Sequence, residues 1–192
     1  MISDNLNETL NKVASTPKIL WITLTCSQLM YIAVAYIRDM KLQGEKPEVN
    51  HEFDFIFYAI TFIVATASIL YWKYAFSDNH LMKLLNKKLN FQKTATNTKT
   101  GKIGKDLLKK LKSLNYNEQK AYVAVVSLLK PLIVCLALNQ TIVILGLILS
   151  DRLFSPSLIL PFVTIALTLN FLVFPQPPDK VADKAIQLLT SK

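Results

Sequence analysis

A chain of 192 residues that is 52% hydrophobic and still 18% charged has to segregate its charge, because its long apolar stretches carry almost none. The net charge of +9 comes from 22 Lys and Arg against 13 Asp and Glu. The excess is crowded into one segment, with no aromatic-interleaved motif beside it, which favours an anionic membrane surface over nucleic acid as its partner. The two cysteines, Cys26 and Cys135, sit in apolar stretches without C-x-x-C spacing, which argues against a redox enzyme.

Residues 1–17 read as an amphipathic N-terminal segment, with Ile2, Leu6, Leu10 and Val13 at helical spacing. Pro17-Lys18 marks entry to the first helical hairpin, 18–76, whose spans are expected at about 19–37 and 55–75. Each run approaches the ~20 residues a helix needs to cross a hydrocarbon core, and neither alternates as a barrel strand does. Ala33-Val34-Ala35 imitates a signal-peptidase site, but Asp4, Glu8 and the spanning-length run favour an uncleaved first span. The intervening loop, Arg38–Asp54, is acidic on balance.

Residues 77–120 form a basic connection whose lysines place it in the cytoplasm by the positive-inside rule. Asn79–Leu89 and Asp106–Leu114 each set leucines on one side and lysines on the other, with Thr94–Gly104 as a break and Asn117 as the N-cap of the next helix. Lys83, Lys87, Lys88, Lys109, Lys110 and Lys112 are the candidate membrane-facing or partner-facing groups. The two leucine-lysine helices could hold anionic lipid, pack on each other or receive a partner. A second hairpin, 121–176, carries spans at about 131–150 and 153–174, the last containing Pro161, a candidate kink, and Thr164 and Thr168, expected to bond back onto their own helix. Pro175-Gln176-Pro177-Pro178 stops it, and an amphipathic tail, 177–192, follows. The fold class expected is an all-α membrane protein of four transmembrane helices with amphipathic cytoplasmic helices, both termini cytoplasmic, in an inner membrane of bacterial type.

The first and third spans align without a gap. Gln28 and Gln140 each lie ten residues beyond a lysine, Lys18 and Lys130, and Ile32 matches Ile144. This spacing suggests a parallel duplication of a two-helix unit and places both amides near mid-membrane. A polar side chain there must face protein, water or the other amide. Gln28, Asn139 and Gln140 are the candidate mid-membrane contacts, either as polar glue between helices or subunits or as the lining of a solute path.

Conventional site chemistry is thin. No Asp, Glu, His, Lys or Arg lies deep in a span, although such residues mark proton relays and coupled transport. His51 and His80 fall in opposite compartments, so neither a shared metal site nor a Ser-His-Asp arrangement is expected, and no cofactor is called for. Thr100-Gly101-Lys102-Ile103-Gly104 imitates a phosphate loop, but Thr96 and Ile103 stand where glycine and a hydroxyl are needed.

The stretch Ala137-Leu138-Asn139-Gln140-Thr141-Ile142-Val143-Ile144-Leu145-Gly146-Leu147-Ile148 resembles the ion-carrying helix of the c-type proteolipids of rotary ATP synthases. The chain is also similar to uncharacterised bacterial four-span proteins. The resemblance implies Gln140 at the carboxylate position, Gln28 as its counterpart, and a homo-oligomer or membrane-complex subunit. An amide cannot release a proton near neutral pH, so proton translocation by Gln140 is excluded. The expectation is a non-enzymatic structural, oligomeric or assembly component, the alternative being a passive channel or transporter for a small polar solute or ion.

Overall fold

The computed structural model describes residues 3–41, 54–86 and 109–190. Among these the chain is almost wholly helical, without strands: α1 (Asp4–Lys41), α2 (Asp54–Ala75), α3 (Asp78–Leu85), α4 (Tyr116–Ser127), α5 (Leu129–Arg152), α6 (Ile159–Leu172) and α7 (Pro178–Thr190). A 3-10 turn, Pro156–Leu158, precedes α6. Three stretches are long and apolar enough to cross a membrane: α1, α2 and the run Tyr116–Arg152 that α4 and α5 make together. The fourth apolar helix, Pro156–Leu172, is shorter.

The chain divides into two compact units. The first gathers residues 1–18, 74–131 and 175–192; the second holds 19–73 and 132–174. The chain therefore passes between units four times, after Lys18, Lys73, Pro131 and Phe174.

In the first unit the amphipathic segments bury their apolar faces on one another. Leu6 and Leu10 of α1, Leu85 of α3, Leu111 and Leu114, Tyr122 of α4 and Ala182 and Ala185 of α7 share one core. Leu81, Leu128 and Val181 form a smaller cluster. The short helices are held at their ends. Ser77 caps α3, its hydroxyl accepting from the His80 amide at 3.3 Å. Asn115 caps α4 in a reciprocal capping box: Asn115 Oδ1 accepts from the Glu118 amide at 2.9 Å, and Glu118 Oε2 accepts from the Asn115 amide at 3.2 Å. The other Glu118 oxygen accepts from the Ser3 amide at 3.1 Å, tying the start of α1 to the start of α4. Exposed ion pairs join Lys110 to Glu8 and Lys184 to Asp78.

The second unit is built around Ile142, Val143 and Leu149 of α5, with Ile159, Phe162, Val163, Ala166 and Leu169 from α6 and its approach, and Ala35 of α1. At Gly146 the helices α5 and α6 come so close that an added Cβ would lie 2.6 Å from Phe162 Cβ. The end of α5 turns sharply: Phe154 adopts a positive φ of 50°, the Ser155 amide donates to the Ser150 carbonyl at 3.1 Å, and the Phe154 amide donates to the Asp151 carbonyl. This is a Schellman-type stop with a phenylalanine where glycine is usual. The outward surface is apolar, with Phe62 73% and Ile63 65% exposed.

Four expectations need correction. The helix that becomes the third span is capped by Asn115, not Asn117; only Asn115 stands three residues before a carboxylate that can return the bond. Pro17 lies inside an unbroken α1 rather than at its boundary, where it removes a single helical bond. The break falls instead at Leu128, between α4 and α5, where the Pro131 ring opposes the Ser127 carbonyl four residues before it. Pro161 is the third residue of α6, in the first turn, where an amide has no intrahelical acceptor to lose, so the helix begins around the proline instead of bending at it. The expected helix Asn79–Leu89 runs in the structure from Asp78 to Leu85, with Asn86 as its cap; its remaining residues, Thr94–Gly104, and most of the loop 38–54 lie outside the described residues.

Candidate functional site: a buried polar chain in the second unit

Each helix of the second unit contributes one small polar side chain to its interior. Ser68 Oγ of α2 donates to Asn139 Oδ1 of α5 at 2.8 Å. Asn139 Nδ2 donates to Asn170 Oδ1 of α6 at 2.8 Å. Asn170 Nδ2 donates in turn to Thr25 Oγ1 of α1 at 3.1 Å. Every member is buried: Ser68, Asn139 and Asn170 at 0% exposure and Thr25 at 8%. Both asparagines accept with oxygen and donate with nitrogen, so the chain runs in one direction across four helices.

Trp21 reinforces the Asn170 end. Its indole Nε1 donates to the Asn170 carbonyl at 2.7 Å, and its ring meets Phe171 and Phe174 edge-on with centroids 5.6 and 4.9 Å away. Near the other end, Cys135 Sγ lies 3.6 Å from the Ser68 carbonyl as a weak donor.

A second polar cluster joins α1 to α5. Gln140 Nε2 donates to Ser27 Oγ at 3.0 Å and to the Leu24 carbonyl, which also accepts from Ser27 Oγ at 2.8 Å. Gln28, one helical turn beyond Leu24, is fully buried, yet neither of its amide atoms has a hydrogen-bond partner; Gln140 Oε1 and Thr61 Oγ1 are buried without one as well. Gln28 and Gln140 thus both turn toward protein, but no hydrogen bond joins them. Their roles differ although their sequence positions match.

The sequence singles out Gln28, Asn139 and Gln140. The structure makes Asn139 the middle of the chain and adds three partners. Asn170 is the one amide in α6, whose other polar side chains are Thr164 and Thr168. Thr25 is only a weak signal beside Gln28 and Ser68 gives none, because small hydroxyls are ordinary in apolar helices, where they bond their own backbone. Thr164 and Thr168 do that here, donating to the carbonyls of Leu160 and Thr164.

Of the candidate basic residues, Lys83, Lys109 and Lys112 are exposed on the first unit and Lys110 is held by Glu8 at 2.6 Å; Lys87 and Lys88 lie outside the described residues. Leu81, Leu85, Leu111 and Leu114 are inside the unit's own core, so these leucines are withheld from lipid.

The chemistry available in this buried polar set is neutral; charged side chains of the second unit lie outside it, Arg38 being paired with Asp151. Amides and hydroxyls exchange donors and acceptors, and at neutral pH they do not exchange protons with a substrate. No group of three or more His, Cys, Asp or Glu that could hold a metal occurs among the described residues. Compared with protein-family models, with curated proteins and with solved structures, the chain matches none.

Proposed function

We propose that this chain is a non-enzymatic integral membrane protein, a structural or assembly component of a membrane complex, with four spans and both termini on the cytoplasmic side. The observation that carries the reading is the Ser68–Asn139–Asn170–Thr25 chain, in which polar side chains are engaged with one another across the helices. Interhelical hydrogen bonds in membranes contribute about 0.6 to 2 kcal/mol each, enough to set the register and facing of the spans. Pro156–Leu172 serves as the fourth span; at about 1.5 Å per residue its 17 residues reach roughly 25 Å, the short end of the spanning range. Lys18, Lys73 and Lys130 lie at or beside three of the four passages between units, as lysines at cytoplasmic span ends do.

The first unit then presents Lys83, Lys109 and Lys112 to anionic headgroups or to an acidic partner, each lysine near such a surface contributing about 1 kcal/mol. Self-association is the state that the proteolipid-like third span and the likeness between the two hairpins favour. Native mass spectrometry from mild detergent reads both claims. The expected result is a complex heavier than one 21.7 kDa chain, retaining anionic lipid that is lost when Lys83, Lys109 and Lys112 become glutamine. A bare monomer with no lipid preference would sink the proposal.

Gln28 favours a second reading, a passive path for a small polar solute, because its amide is not engaged in holding helices. Combining Gln28→Leu with Gln140→Leu separates the two. Lost liposome flux with intact assembly supports the path; unchanged flux with altered assembly supports the structural role.

A further inference from the structure

We propose that Gln28 and Gln140 hold a bound internal water between α1 and α5. The proposal stands on three polar atoms: Gln28 Nε2, Gln28 Oε1 and Gln140 Oε1 are all buried without a hydrogen-bond partner. Gln28 is the large polar side chain among the fully buried residues of the second unit, at 0% exposure. A buried amide atom left unpaired costs about 1–3 kcal/mol, so an arrangement that supplies its bonds is strongly favoured.

The two amides belong to one layer. Gln140 Nε2 is fixed by the Leu24 carbonyl and the Ser27 hydroxyl. Leu24 and Gln28 are four residues apart on α1, hence on the same face and about 6 Å apart along the axis. Gln140 is therefore anchored against the turn that carries Gln28, with its oxygen left over. Thr25, on the next position round the helix, is already taken by Asn170.

The free set consists of one amide nitrogen and two acceptor oxygens. A water molecule accepts from the first and donates to the others, and internal waters typically make about three such bonds. Water also suits the complete burial of Gln28, since a larger solute would need an opening to reach it. Gln28 Nε2 donates to the water, which donates to Gln140 Oε1. The site is independent of whether the protein assembles or conducts.

Proton-detected solid-state NMR of the full chain in lipid bilayers tests this, with glutamine and asparagine side chains labelled and Gln28→Met used to assign the Gln28 signal. In the unaltered protein, magnetisation from water is expected to reach the Gln28 Nε2 protons several-fold faster than the Asn139 Nδ2 protons, which donate to Asn170. Transfer no faster than at Asn139 overturns the proposal, as does a direct contact placing Gln28 Nε2 on Gln140 Oε1.

Discussion

Both units close around apolar cores, but they differ in what they expose and in the polar side chains they bury. In the first, leucines and alanines go inside and lysines outside: Leu6, Leu85 and Leu111 are almost fully buried while Lys83, Lys109 and Lys112 are exposed. In the second, asparagine, glutamine and serine are at 0% exposure while Phe62, Ile63 and Met30 face outward. A helix in water gains by hiding apolar area. A helix in hydrocarbon gains little that way, and its polar groups are the ones that must find partners. On the membrane reading proposed above, the first unit draws its stability from apolar burial, the second from close packing and a few directed hydrogen bonds.

The sharpest way to break the contrast is to remove a core leucine from the first unit. Leu85→Ala is expected to cost about 2–5 kcal/mol, the range for truncating a fully buried leucine. Limited proteolysis should then cut within the first unit while the second stays protected. Equal sensitivity of both units would mean that they do not differ in the way described.

Gly146→Ala is the matching test of close packing in the second unit. A methyl group there meets Phe162 at 2.6 Å, so overpacking should cost about 1–3 kcal/mol by denaturant titration in mild detergent. A compensating Phe162→Leu change should recover part of the loss.

Asn170→Leu probes the directed bonds. It removes the side-chain links to Asn139 and Thr25 while leaving the carbonyl that Trp21 uses. A loss of about 1–2 kcal/mol is expected, and a double-mutant cycle with Asn139→Leu should show coupling. Additive losses would mean that the two asparagines do not act through each other. The smallest effect belongs to Lys110→Gln. Its pairing with Glu8 is exposed on both sides, so thermal melting should shift by no more than about 1 kcal/mol equivalent, and by less in high salt.

Much of this was legible from residue spacing. Leucines at 81, 85, 111 and 114 read as one side of amphipathic helices, and the structure buries them. What they pack against was not legible, because a leucine stripe fits a membrane surface, a partner or its own chain equally well. The run 153–174 read as a full span, yet α6 begins later: Phe154 takes a left-handed conformation and Pro156 opens a 3-10 turn, local backbone choices that apolar composition hides. In the polar interior Asn139 and Gln140 stood out as amides. Ser68 and Thr25 acquire meaning only from the helix opposite. The divergence of Gln28 from Gln140 is likewise tertiary, since a shared register fixes depth and not the neighbour each amide meets.

Spin labels placed one at a time at Met30, Ile63, Lys83 and Lys112, in the protein reconstituted into bilayers, compare the two units most directly. The labels at Met30 and Ile63 should collide with dissolved oxygen and be shielded from a water-soluble nickel complex, and those at Lys83 and Lys112 should show the reverse. Ready access of the nickel complex to Met30 and Ile63 would put the apolar exterior of the second unit in water and contradict the account.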